Sequence, residues 1–135
     1  MKNPKLTAAN TMLIVENVKK TAEFYRDKLG FAIDFVFEKN DEDSVPFACV
    51  RKDSYAVYFE SYPSFNKDYE NFVDVKVKCG IYFKVDDVDA LYEELKQRDV
   101  SFVWTPTTQA YGNRDMKILD NNGYQILFGT DVENK

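Results

Sequence analysis

Histidine is missing altogether from these 135 residues. Its absence removes the commonest general acid/base at neutral pH and the commonest ligand of zinc, iron, nickel and copper. Nucleophilic sets of the Ser-His-Asp or Cys-His kind are excluded with it. Cysteine is almost as scarce. Cys49 and Cys79 are too few for a disulfide framework and make no Cys-x-x-Cys pair; both lie in segments that read as strands, so buried free thiols are expected. There is no glycine-rich phosphate loop. No apolar run approaches the ~20 residues that span a bilayer, and Met1 to Leu6 lacks the apolar stretch of a signal peptide, so a cytoplasmic location is expected. Positive charge is in the minority, with 18 basic against 23 acidic residues and a net charge of -5. That balance argues against a nucleic-acid backbone or a membrane as partner and favours a neutral or cationic ligand.

What the chain does have is apolar and aromatic material, 44% and 16% of its residues, enough for one domain to bury a core without staples. Met12 to Val15 reads as a strand, Asn17 as a helix N-cap, and Val18, Ala22, Tyr25 and Leu29 as one buried helical stripe that Gly30 ends. Phe31 to Phe37 reads as a strand and the polar stretch Glu38 to Pro46, with Asp41-Glu42-Asp43, as a solvated loop. Phe47 to Arg51 and Tyr55 to Glu60 form a strand pair around Lys52-Asp53-Ser54. After a connecting segment the order recurs: a strand over Val77 to Val85, an N-cap at Asp87, a stripe of Val88, Leu91, Tyr92 and Leu95, a strand from Phe102 to Trp104, and a hairpin of Arg114 to Leu119 with Tyr124 to Phe128 around Asn121-Asn122-Gly123.

The recurrence is a register. Leu13 to Val18 lies 70 residues before Phe83 to Val88, and Tyr55 to Phe59 lies 69 before Tyr124 to Phe128. One loop deletion accounts for the drift, and the pattern implies a duplicated α+β unit. We therefore expect a single domain of two tandem βαβββ modules, about 8–62 and about 75–131, joined by a linker of about 63–74.

The run Met12 to Phe31, with Phe24-Tyr25 in the helix and Leu29-Gly30-Phe31 at its end, resembles the opening of the glyoxalase/bleomycin-resistance/dioxygenase superfamily. Tyr111-Gly112-Asn113-Arg114-Asp115 and Asp120-Asn121-Asn122-Gly123-Tyr124 are similar to that family's aromatic-Gly-x-Arg and Asp-Pro-x-Gly-aromatic signatures, with Asn121 where proline is usual. The resemblance implies sheets curled into a cleft with helices outside, completed by homodimerisation. In metal-using relatives one ligand comes from each of four strands, and those positions fall on Asn10, Gly80, Tyr58 and Leu127. Glycine and leucine offer no donor atom, and an Asn amide with a neutral phenol is a poor set even if Glu60 is added. No metal or other cofactor is expected.

Strand alternation puts Tyr58 on one face with Ala56 and Glu60, Asn10 with Met12, Tyr82 with Lys84, and Leu127 with Gln125, while Val57 and Phe59 pack under the helices. Trp104 and Tyr111 join this lining through the family's ligand-stacking aromatics, and Arg114 matches its arginine. Such a surface suits an amphipathic or aromatic organic molecule, which the protein would sequester without catalysis, as in antibiotic resistance. Two other functions fit the same residues: a lyase or isomerase using Glu60 or Tyr58, and an interaction module with a vestigial cleft.

Overall fold

A computed structural model describes residues 3–38, 45–62 and 79–132. The acidic stretch at 41–43 and the linker at 63–74 fall outside the described residues.

Each half supplies four strands and a helix. The first contains β1 (Thr11–Val15), α1 (Val18–Leu29), β2 (Ala32–Phe37), β3 (Phe47–Lys52) and β4 (Tyr55–Ser61). The second contains β5 (Gly80–Lys84), α2 (Val88–Gln97), β6 (Phe102–Thr108), β7 (Asn113–Leu119) and β8 (Gln125–Asp131). The strands make two mixed sheets ordered β1-β4-β3-β2 and β5-β8-β7-β6, in which β1 runs parallel to β4 and β5 parallel to β8. This is the duplicated βαβββ architecture expected from the repeat, divided into two four-stranded sheets.

Local chemistry sets the element ends. The Asn17 side chain accepts from the Lys20 backbone N–H at 2.9 Å, and Asp87 does the same for Ala90 at 3.0 Å, so each helix starts on a side-chain cap. Gly30 ends α1 at φ 78, a conformation that glycine enters without strain. β6 carries Pro106 and tolerates its missing N–H because β6 lies at the sheet edge, where the β6–β7 register also slips between Trp104 and Thr107. The β3–β4 turn places Asp53 and Ser54 both at positive φ, 50 and 77, which is the two-residue hairpin geometry.

One core joins the halves. Val18, Ala22, Tyr25 and Leu29 of α1 pack with Leu13, Val57 and Phe59, while Val88 and Leu95 of α2 pack with Met116, Ile118, Ile126 and Phe128. Burying such a side chain stabilises the fold by about 1.5–3 kcal/mol. Phe31 meets Phe83 across the module boundary at 5.8 Å between ring centroids. Polar ties cross it as well. The Tyr25 hydroxyl donates to Asp120 Oδ2 at 2.8 Å, the Tyr124 hydroxyl to the Ile14 carbonyl at 2.6 Å, and the Asn122 amide to Thr21 Oγ1 at 3.1 Å.

The two cysteines differ from expectation in one respect. Cys49 is buried in β3, but Cys79 is exposed. It precedes Gly80, the first residue of β5 to pair with β8, so no strand neighbour covers it.

Candidate functional site

Register fixes which side chains stand side by side. Across the first sheet Met12, Tyr58, Cys49 and Phe35 are successive partners; across the second the row is Tyr82, Leu127, Lys117 and Trp104. Both rows lie on the face opposite the helices, because their strand neighbours Leu13, Val57, Phe59, Ile126 and Phe128 are the buried core. The expected lining residues therefore share faces as alternation required: Met12 and Tyr58 on one sheet, Tyr82, Leu127 and Trp104 on the other.

The first face is aromatic. Phe35, Phe47 and Tyr58 pack together with centroid separations of 5.8 to 6.2 Å. Phe37 and Met12 flank them and are 53% and 49% exposed, a large apolar surface to leave in water. Glu60 lies half-buried at the end of this face, opposite Phe47. Asn10 is exposed just before β1.

The second face is organised around a residue that sequence patterning passed over. Asp115 on β7 is 0% exposed, and among the described residues its hydrogen-bond donors are all neutral. Oδ2 accepts from the Tyr82 hydroxyl at 3.1 Å and from the Tyr111 hydroxyl; Oδ1 accepts from Gln109 Nε2 at 3.0 Å and Trp104 Nε1 at 3.4 Å. A carboxylate offers about four lone-pair sites, so this one is saturated. Burial alone would raise its pKa, but the bonds from Tyr111, Gln109, Tyr82 and Trp104 together outweigh burial and hold the carboxyl below its ordinary range. The same arrangement pushes the Tyr111 hydroxyl up to about 12, chiefly through its bond to Asp115. Burial and then Asp115 raise Tyr82, against the lowering effect of Asn113.

Three expected site residues, Tyr82, Trp104 and Tyr111, thus converge on one anion. The donors come from β5, β6 and the β6–β7 turn, so no local spacing announces the cluster. The available signal was alternation: Asp115 must face away from the buried Met116 and Ile118. Lys117 sits over the Trp104 ring at 4.3 Å and Lys84 near the Tyr82 ring at 5.6 Å. Gly129, beside Asp115 on β8, leaves room for Tyr82, since a Cβ there would lie 2.0 Å from the phenol oxygen. Arg114 does not join the group. It faces the helix side, where it grips Asp89 of α2 at 3.0 Å and reaches Thr108 at 3.3 Å.

Chemically, a saturated carboxylate of lowered pKa is a weak base with no free acceptor site. What it does is fix two phenols and an indole as a platform, with Tyr111 65% and Tyr82 39% exposed. A phenol that donates to a carboxylate has an electron-richer ring, and such a face attracts cations.

The fold defines a duplicated βαβββ class of protein. A sequence profile of the Glyoxalase/Bleomycin resistance protein/Dioxygenase superfamily matches residues 7–128, so the chain belongs to that superfamily. Solved structures agree in fold. A glyoxalase-related enzyme from Clostridium phytofermentans superposes with a TM-score of 0.77 at 14% identity, covering 98% of this chain and 100% of that one. A superfamily member from Sphaerobacter thermophilus gives 0.67 at 25% identity, over 93% and 98% of the two chains. A glyoxalase/bleomycin resistance protein/dioxygenase from Nocardioides gives 0.72 at 15%, over 99% and 89%. Among curated proteins none matches the sequence significantly.

The metal that some members of this superfamily hold does not fit the residues here. Among the described residues no three His, Cys, Asp or Glu side chains are grouped to share an ion. At Gly80 a Cβ would lie 2.5 Å from Gln125 Cγ, so even the space for a ligand side chain is taken. Tyr58 is instead engaged with Phe35 and Phe47.

Proposed function

We propose that this protein binds a small amphipathic or aromatic molecule without a metal and without turning it over. The binding face is the one built on Asp115, Tyr82, Trp104 and Tyr111, and a second copy of the chain completes the site with its Phe35, Phe37 and Tyr58 surface. One observation carries this reading: a buried anion spends all its acceptor capacity on holding aromatic donors, which is an arrangement for presenting rings rather than for moving protons. The negative charge behind those rings, which already draws Lys117 over Trp104, favours a cationic ligand. The exposed apolar residues of the first sheet support self-association, since a chain with net charge -5 gains little from leaving them in water.

Trp104 is the only tryptophan and reports on the site directly. Titration with a planar aromatic cation such as proflavine should quench its fluorescence saturably, and Tyr82→Phe should weaken the effect. Light scattering should give twice the chain mass. A strict monomer whose Trp104 emission no planar cation or neutral aromatic alters would overturn the proposal.

A further inference from the structure

The duplication provides an internal comparison, because each hairpin tip faces the other module's helix. On one side the β7–β8 tip is closed on α1. Asn121 and Asn122 donate to Thr21 Oγ1 at 3.4 and 3.1 Å, Asp120 accepts from Tyr25, and the Tyr124 hydroxyl seals onto Ile14. At the repeat offsets the corresponding residues of the β3–β4 tip and α2 are Lys52, Asp53, Tyr55, Lys84, Leu91 and Leu95. There the tip stands off. Leu91 has no hydroxyl to receive it, Leu95 has no phenol, and Tyr55 is 71% exposed. Among the described residues the tip is tethered at its flank, where Lys52 approaches Glu94 at 3.8 Å and the Leu29 carbonyl at 3.4 Å.

The gap is a cavity of about 600 Å³, within the range of small-molecule sites. Phe31, Phe83, Val85, Leu91 and Phe128 supply its apolar lining and Tyr55 one wall. Phe83, Val85 and Phe128 alternate with Tyr82, Lys84 and Leu127 along their strands, so the cavity opens on the opposite face of the second sheet from Asp115. Four acidic residues, Asp53, Asp86, Asp87 and Glu94, and Lys52 border it, while Lys84 lines it from the strand with its ammonium turned to the other face beside Tyr82. Lys84 is paired with Asp131, Lys52 with Glu94, and Asp87 caps α2. Asp53 and Asp86 make no ion pair or side-chain hydrogen bond among the described residues.

We propose that this cavity is a second ligand site, separate from the Asp115 face, which takes a small organic cation with a flat apolar body. The body lies on Phe83 and Phe128 under Tyr55, and the cationic group faces Asp53 and Asp86.

The test uses the whole chain and 1-naphthylmethylammonium, with naphthalene-1-methanol as the uncharged control, followed by backbone amide shifts. Saturable shifts should centre on Asp53, Tyr55, Val85, Ala90 and Leu91. Ala90 is exposed, so Ala90→Phe folds normally and fills the space, and it should abolish those shifts. Asp86→Asn should weaken the ammonium roughly two- to five-fold and leave the alcohol unchanged. Shifts confined to the Tyr82–Trp104 face, shifts that survive Ala90→Phe, or equal affinity for ammonium and alcohol would each overturn the proposal. Trp104 quenching reads the Asp115 face independently, so failure at one site is distinguishable from failure at the other.

Discussion

Replacing Tyr25 by Phe tests whether one hydrogen bond holds the two modules together. The Tyr25 ring is 0% exposed and wedged against Phe31 and Phe59, at 5.6 and 4.9 Å between centroids, and phenylalanine keeps all of that packing. What is lost is the 2.8 Å bond from the hydroxyl to Asp120 Oδ2. Asp120 is itself 5% exposed, and its other oxygen already accepts the backbone N–H groups of Asn122 and Tyr124 at 2.8 and 3.0 Å. The substitution therefore leaves a buried carboxylate oxygen without its donor. A hydrogen bond to a charged group contributes about 1.5–3 kcal/mol. With no cavity of any size to add, we expect a loss of about 2–3 kcal/mol. At roughly 4 °C per kcal/mol for a chain of this length, Tm should fall by about 8–12 °C. Urea unfolding followed by far-UV circular dichroism at neutral pH should show the midpoint falling at constant slope. Combining the change with Asp120→Asn should then cost less than the sum of the two alone. A loss below roughly 0.5 kcal/mol, in the range of a surface substitution, would refute the view that this bond ties the halves.

Other outcomes follow from the same geometry. Asp115→Asn keeps an oxygen for Trp104 and Gln109 and an amide that the two phenols can turn to accept, so it should fold at a cost of about 1–3 kcal/mol, whereas Asp115→Ala strands four donors and should cost more by urea unfolding. Gly129→Ala places a methyl 2.0 Å from the Tyr82 oxygen and should reproduce the effect of Tyr82→Phe on Trp104 quenching. Ser54→Gly relieves a non-glycine residue at φ 77 and should stabilise by about 0.5–1 kcal/mol, read as a raised urea midpoint. Burial holds the Tyr124 phenol up to about 12, above its ordinary 10.0, so folding favours the neutral form; that contribution is complete below pH 10.0 and is lost as pH climbs towards about 12. Phenolate absorbance should accordingly lag in the folded chain, and a titration coinciding with that of free tyrosine would contradict the burial.

Much of this fold was legible because its signals are local. The caps at Asn17 and Asp87, the stop at Gly30 and the two helical stripes each depend on residues within a turn of one another. Period-two alternation then assigned Tyr58, Tyr82 and Leu127 to the faces they occupy. The core of the site was not legible, because Asp115 gains its meaning from Tyr82 and Trp104, 33 and 11 positions away, and from a turn that brings Gln109 and Tyr111 back over it. Cys79 failed for the opposite reason. Alternation marks a strand but not where its pairing starts, and Cys79 stands just before the first paired residue, Gly80.

Divergence between the duplicated halves explains why the Asp115 cluster has no counterpart in the first sheet. In the second row of each face, Ile14, Glu60, Phe47 and Phe37 stand in the first sheet where Lys84, Gly129, Asp115 and Thr107 stand in the second. The carboxylates thus occupy different columns, Glu60 on β4 and Asp115 on β7, and they cannot act as a symmetric pair. Gly129 stands in the column where the first sheet has Glu60, and its missing side chain lets Tyr82 lie across β8 to reach Asp115. Placing a carboxylate at position 129 would therefore displace Tyr82 and take a donor from the anion beside it. With glycine there, the second face keeps Tyr82, Trp104 and Tyr111 fixed around Asp115, an arrangement the first sheet has no residues to copy.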